Sequence, residues 1–281
     1  MTFVASLRLE PAGELPRLQR TRGAARVSFR KVGGGTALHQ LRQEGAAKIR
    51  LPRLPADQPA QAVLINTAGG LTGGDRMVMR VEVGDGARAM ATTQACEKIY
   101  RSRGDTAEIA TTLAVGSGAR LDWLPQETIM FDQARLRRTL DADVQANSTL
   151  LVLESVIFGR TAMRESVTAG LFHDRWRIRR AGRLLFADDL RFGPDIGRTL
   201  AWPAVLKSGC ATATLVYVSP SPEALLERAR AAIGGAGGAS AWDGKLVARL
   251  VAMDGLTLRR TVNALAGVLL GGAELPKVWH L

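Results

Sequence analysis

Glycines spaced for phosphate chemistry are the first feature of the chain that invites a functional reading. Gly69-Gly70-Leu71-Thr72-Gly73-Gly74-Asp75 has glycines at both ends of a G-x-x-x-x-G frame. A phosphate loop then needs a lysine for the phosphates and a hydroxyl for magnesium. This chain supplies Asp75 and Arg76 instead, and an acid there repels a phosphate, so nucleotide binding is rejected. Gly84-Asp85-Gly86-Ala87-Arg88-Ala89 fits a loose dinucleotide pattern, but a helix must follow such a turn. The Gly-x-Gly returns 32 residues later, ahead of the alternating run Ala119 to Trp123, and a hairpin turn accounts for both copies.

Metal and nucleophile chemistry find little support at the level of spacing. The three histidines, His39, His173 and His280, have no partner at tight ligand spacing. Cys96 and Cys210 form no C-x-x-C pair and read as reduced, mostly buried thiols. No G-x-S-x-G is present, and Cys96 has no base evident in sequence. Arg175, Arg177 and Arg179 share one strand face opposite Trp176 and Ile178, with Arg180 and Arg183 nearby. That patch reads as a solvated sheet face, an acidic-partner surface or, third, a nucleic-acid surface.

The elements that must position these residues are mostly strands. Met77, Met79, Val81 and Val83 alternate with Val78, Arg80 and Glu82, the period-two signature of a half-buried strand. Val83-Gly84-Asp85-Gly86-Ala87-Arg88 recurs as Val115-Gly116-Ser117-Gly118-Ala119-Arg120, and Gln94 recurs as Gln126. A looser third copy runs from Val144 to Thr149, with Asn147 standing in for a left-handed glycine. Repeats at about this period favour stacked, solenoid-like β layers over two similar hairpins in one sandwich. The fold class is therefore mainly β, with many stacked strands and two C-terminal helices. Ser221-Pro222-Glu223 opens the first helix, with Leu225, Leu226, Ala229 and Ile233 as its apolar stripe and Gly234-Gly235 as its stop. A strand over Lys245 to Ala252 ends at an Asp254-Gly255 turn, and Leu258, Val262, Leu265 and Leu269 line the second helix before Gly271-Gly272. Gly234 to Gly238 reads as flexible without marking a boundary. One domain over residues 1–281 is expected, with a β body at about 20–215 and a helix-containing part at about 219–281.

Composition limits the classes further. The 281 residues are 46% hydrophobic and 23% charged, so a packed core is expected rather than disorder. The longest apolar run, Leu265 to Leu270, is far short of the ~20 residues of a membrane span. The N-terminus has no basic start followed by an apolar stretch, so a cytoplasmic protein is expected. The net charge of +12 attracts nucleic acid, membranes or acidic proteins, and the 5% aromatic content is thin for base stacking. A carboxylate enzyme using Glu127 and Asp132 and a basic nucleic-acid binder remain as alternatives.

Several blocks together carry a family resemblance. Asn66 through Arg76 holds the glycine run. Thr92-Thr93-Gln94-Ala95-Cys96-Glu97-Lys98-Ile99-Tyr100-Arg101-Ser102 follows it. Trp123-Leu124-Pro125-Gln126-Glu127-Thr128-Ile129-Met130-Phe131-Asp132 is the third, and Phe158-Gly159-Arg160 through Glu165 is the fourth. Glu44 to Arg50 and Leu275 to Trp279 also fit. In this order they resemble the UreD (UreH) family of urease accessory proteins. Cys96 stands where that family commonly has a small residue, and Arg164 where it has glycine.

The resemblance implies a β-helical body that binds apo-urease subunits and joins UreF and the GTPase UreG to insert nickel. No catalytic role, tightly bound cofactor, nucleic acid or membrane is implied; the expected cargo is nickel in transit. Exchangeable carboxylates suit an ion that is handed on better than a thiolate cage does. Asp75, Glu127, Asp132, Glu154 and Glu165 are the candidates for a hydrated nickel path, with turn capping or arginine pairing as their plain structural roles. Gly69, Gly70, Gly73 and Gly74 are expected to set a turn. Gln94, Gln126, Tyr100, Gly159 and Arg160 complete the motif set, with internal hydrogen bonding or partner contact expected of Gln126, Arg160 and Tyr100.

Overall fold

A computed structural model describes residues 19–55, 58–160, 163, 165–206 and 209–280. The readings made on the first residues of the chain and on Arg164 fall outside the described residues.

Alternation of apolar and polar side chains builds the first sheet. Its strands include β1 (Arg22–Val32), β2 (Gly35–Gly45), β5 (Arg76–Val83), β8 (Ala107–Val115), β11 (Arg135–Val144), β13 (Leu171–Arg180) and β14 (Arg183–Phe192). They lie in the order β14-β13-β11-β8-β5-β1-β2. Along β8 every second residue is buried and its neighbours are half-buried, the pattern of a sheet with one covered face. The second sheet holds β3 (Ala47–Arg50), β4 (Ala60–Asn66), β6 (Arg88–Thr93), β9 (Arg120–Leu124) and β12 (Thr149–Phe158). It continues into β15 (Ala211–Val218), β17 (Lys245–Ala252) and β16 (Gly237–Trp242). Short β7 (Glu97–Ile99) and β10 (Thr128–Met130) attach beside β12. Leu150 to Leu153 is apolar without alternation because β12 is covered on both faces.

The internal echo is the pitch of a solenoid. In the parallel pairs, Val83 lies beside Val115 and Arg88 beside Arg120, the partners the sequence repeat names. Val115 then pairs with Val144 and Arg120 with Thr149, which makes the third copy real. Each Gly-x-Gly segment carries the chain from the first sheet to the second, so it is an arch between layers rather than the expected hairpin. The arches stack: Gly86 N–H donates to the Ser117 carbonyl at 2.8 Å, and Ser117 N–H to Asp85 Oδ1 at 2.7 Å. Asn147 does not take a left-handed backbone as Gly86 and Gly118 do. Its Oδ1 instead accepts from Gly118 N–H and the Ser117 hydroxyl, each at 3.0 Å, so a side chain does the work assigned to backbone freedom.

The two expected helices are present, with different starts. A 3-10 turn at Pro222–Leu225 precedes α2 (Leu226–Ile233), and Ser221 makes no side-chain cap bond. Asp254 is the N-cap of α3 (Gly255–Leu269) rather than a turn residue, accepting from Thr257 N–H at 2.8 Å. A five-residue helix, α1 (Ile196–Leu200), was too short to show a period. Gly234–Ala236 is a 3-10 turn and Gly237 opens the paired strand β16, which corrects the flexible reading of that stretch. One core lies between the two sheets, and a second lies between α2, α3 and the outer face of the second sheet. Among the described residues no helix is long and apolar enough to cross a membrane.

Candidate functional site

The four sequence blocks fall on successive coils and form one column. Leu71, Ile99, Met130 and Phe158 stack as its buried inner row. Outside that row, Tyr100 sits against Gly70 and donates to the Gly69 carbonyl at 3.2 Å. The Tyr100 ring meets Phe131 edge-on at 5.0 Å, and the Arg160 guanidinium covers Phe131 at 4.1 Å. Arg160 is held in turn by Glu165 through bonds of 2.7 and 3.1 Å, and Gly159 approaches the Glu165 backbone too closely for any side chain. Gly73 packs against Ser102 and Asp105 and Gly74 against Arg20, whereas Gly69 faces open space with φ +76°. Of the four glycines in the run, Gly70 and Gly73 are the two whose close contacts are with atoms of the next block, Lys98 to Asp105.

Two candidate acids fasten this column. Asp75, 5% exposed, accepts from Thr21 N–H at 2.7 Å and Thr72 N–H at 2.8 Å, closing the glycine loop. Asp132 accepts from Thr168 N–H at 2.7 Å, the Thr168 hydroxyl at 2.9 Å and Ala169 N–H at 3.2 Å. Slight burial raises the Asp132 pKa, but those donors outweigh it and hold it below the ordinary value.

Glu154 lies in the core between the sheets. Arg138 Nη1 donates to Glu154 Oε2 at 2.5 Å and to Thr128 Oγ1 at 3.2 Å, while its Nε and Nη2 grip both oxygens of Asp174. Trp123 Nε1 donates to the other Glu154 oxygen at 2.9 Å. Burial drives the Glu154 pKa up, with Arg138 opposing it. Arg138 keeps its proton because Asp174 and Glu154 outweigh the cost of its burial.

Glu127 ties the solenoid to the C-terminal helix. Arg259 on α3 donates through Nε to Glu127 Oε1 at 2.9 Å and through Nη2 to Glu127 Oε2, and also reaches Gln126 Oε1 at 2.5 Å. Gln126 N–H₂ donates to the Val278 carbonyl at 3.2 Å, and Trp279 lies 5.3 Å from the Arg259 guanidinium. The Cys96 thiol donates to Glu127 Oε2 at 3.3 Å; burial and the adjacent carboxylate push its pKa up to about 11. Both cysteines are half-buried, less enclosed than expected. Gln94, the sequence echo of buried Gln126, is exposed at a cavity rim.

That cavity, of about 170 Å³, was not anticipated. Asn66, Cys96 and Glu97 line it, with Leu64 and Met79 of the inter-sheet core at its floor. Asn66 Nδ2 donates to both Glu97 oxygens at 3.0 and 3.2 Å, and burial lifts the Glu97 pKa to about 7. Glu97 lies inside a quoted block, but nothing in its spacing set it apart. Arg138 and Asp174 did leave a signal: each occupies a core-facing position of its strand, between Leu136 and Leu140 and between Phe172 and Trp176. The structure therefore pairs Glu127, Glu154 and Glu165 with arginines and sets Asp75 and Asp132 on backbone donors. Glu127 and Asp132, the pair considered for carboxylate catalysis, are each committed to other partners. Among the described residues no three His, Cys, Asp or Glu side chains gather as a metal-holding group.

Comparison with known proteins agrees with this architecture. Residues 21–280 match the family model described as UreD urease accessory protein. A urease accessory protein UreD of Rhizobium leguminosarum bv. trifolii is 51% identical over 271 residues, covering 96% of this chain and 98% of the relative. The UreD of Mesorhizobium japonicum is 52% identical over 270 residues, at 95% and 96% coverage. A Brucella abortus protein named UreD 1 is 49% identical over 268 residues, at 94% and 95%. With its solenoid complete over the matched span, the chain belongs to the UreD family of urease accessory proteins.

Proposed function

We propose that this protein is a non-catalytic cytoplasmic scaffold that binds apo-urease and, with UreF and the GTPase UreG, supports GTP-dependent insertion of nickel. One observation carries the cargo part of this reading. A row of polar groups leads from the surface cavity into the solenoid. Asn66 bonds Glu97, Glu97 lies beside Thr128 in the parallel register, and Thr128 bonds Arg138, which holds Glu154 and Asp174. A divalent cation cannot cross an apolar core without oxygen ligands, and carboxylates release such an ion more readily than a closed thiolate site does. Arginines pair with Glu127, Glu154 and Glu165, so an arriving cation must displace a guanidinium to reach any of them.

The test is co-expression of urease subunits and accessory partners with charge-neutral variants of Asp75, Glu97, Glu127, Asp132, Glu154 and Glu165. Nickel bound per urease is the readout, with circular dichroism showing that each variant is folded. Lower nickel in variants along the polar row supports the reading. Full nickel loading by every folded variant removes it.

A further inference from the structure

Among the described residues no helix covers the outer face of the seven-stranded sheet, and that face holds a second site unrelated to the polar row. Three acids on this face each bridge two basic side chains. Glu82 joins Arg26 and Arg80, Glu108 joins Arg76 and Arg137, and Asp189 joins His173 and Arg177. Each such group with two arginines keeps one uncompensated positive charge, so these clusters leave the face basic.

At one end of the face lies an open trough of about 530 Å³ lined by Arg26, Ser28, Arg30, His39, Arg80 and Glu82. Two features mark it as built rather than incidental. Ser28 is 4% exposed, and its hydroxyl has no hydrogen-bond partner. Such a group is unfavourable unless something else satisfies it. Beside it, the β1–β2 ladder shifts register: Ser28 pairs with Gln40 and Phe29 with Leu38. His39 is the extra residue of this bulge, and it lines the trough with Ser28. Arg30, exposed at the rim, makes no ion pair among the described residues.

We infer that this trough seats an acidic peptide segment of a partner protein. A carboxylate of that segment accepts from the Ser28 hydroxyl once exposed rim side chains such as Gln40 swing aside, and it is neutralised by Arg30 with the Arg26–Arg80 pair. The chemistry favours a singly charged carboxylate over a phosphate, because Glu82 and Asp143 also line the trough and repel a dianion more strongly. It is open, and its lining crosses neighbouring strands, which suits an extended chain better than a compact small molecule.

The experiment uses the full chain without nickel, so its outcome is separate from that of cargo transfer. A fluorescein-labelled peptide of glutamates is titrated by fluorescence anisotropy, with a phosphate-rich peptide and a single-stranded oligonucleotide as competitors. Binding that weakens with added salt is expected, with about tenfold loss in Ser28→Ala and a larger loss in Arg30→Glu. Ser28→Ala must also leave the thermal midpoint unchanged or raised, because it deletes an unsatisfied buried hydroxyl. A purely structural serine gives no affinity change. Unaltered peptide binding in both variants, or displacement by the oligonucleotide or phosphopeptide in preference to the glutamate peptide, overturns the inference.

Discussion

Glu127 and Arg259 are 132 positions apart in sequence, yet they meet in a two-point carboxylate–guanidinium contact. Glu127 belongs to the third coil and is almost fully buried, while Arg259 projects from the helix that closes the far side of the second sheet. The pair sits where the two cores share one sheet, with Gln126, Cys96 and Trp279 packed around it. Removing one partner leaves a buried charge uncompensated. Arg259→Ala is expected to destabilise the fold by about 3 kcal/mol in urea unfolding, whereas the paired change Arg259→Met with Glu127→Leu recovers most of that loss. Equal stability of Arg259→Ala and the unmodified chain contradicts the assignment.

The same contact controls a thiol. Burial first, and the Glu127 charge second, raise the Cys96 pKa to about 11, so its thiolate is scarce near neutrality. At pH 8 alkylation of Cys96 by iodoacetamide is expected to run roughly a hundredfold slower than that of an unhindered peptide thiol. Glu127→Gln removes one of the raising charges and speeds the reaction. Peptide-level mass spectrometry reads both rates.

Glu97 predicts a pH dependence of opposite sign to that of an ordinary paired carboxylate. Its folded pKa is lifted to about 7 from an ordinary value of 4.5, so between these the folded protein holds a proton that the unfolded chain has released. The stability tied to this proton is complete below about pH 4.5 and is lost as pH rises through about 7. Glu97→Gln should match the parent protein near pH 4.5 and exceed its stability at pH 8, by about 1–3 kcal/mol. Urea midpoints at the two pH values decide this, and parallel pH profiles for both proteins refute it.

Within the glycine run, position rather than residue type sets the outcome. A methyl group at Gly73 meets the Ser102 hydroxyl and the Asp105 carbonyl of the next coil, while one at Gly69 meets nothing but carries a left-handed φ of +76°. Gly69→Ala is expected to cost about 1–2 kcal/mol of backbone strain. Gly73→Ala costs more, because the loop must part from its neighbour, and it also loosens Asp75 from Thr72 and Thr21. Thermal midpoints for the two variants order them.

Much of this architecture was legible because solenoid physics repeats. Strands on one sheet keep a two-residue period, and the arch sequence around Gly84 and Gly116 returns at the pitch of the coil. The helices around Leu226 and Leu258 were legible from their stripes. What stayed hidden depended on which strands face each other. Arg138, Asp174 and Glu154 are far apart in sequence and become one buried ion group only when the sheets close. An arginine at a core-facing position between Leu136 and Leu140 was the available clue. Asn147 was misjudged because its side chain, not its backbone, completes the arch. The cavity beside Glu97 had no signal at all, since a void is a property of packing. Turn capping for Asp75 and arginine pairing for Glu154 could be anticipated from the sequence, but only the fold distinguishes an acid committed to Arg259 from one committed to Thr168.

The most direct test is the nickel content and activity of urease made with and without this chain, alongside the full set of urease subunits and accessory partners. Urease produced without it is expected to be assembled but largely nickel-free and inactive, and supplying the chain in trans should restore both. Urease that fills with nickel and turns over urea at the normal rate in its absence would contradict the account.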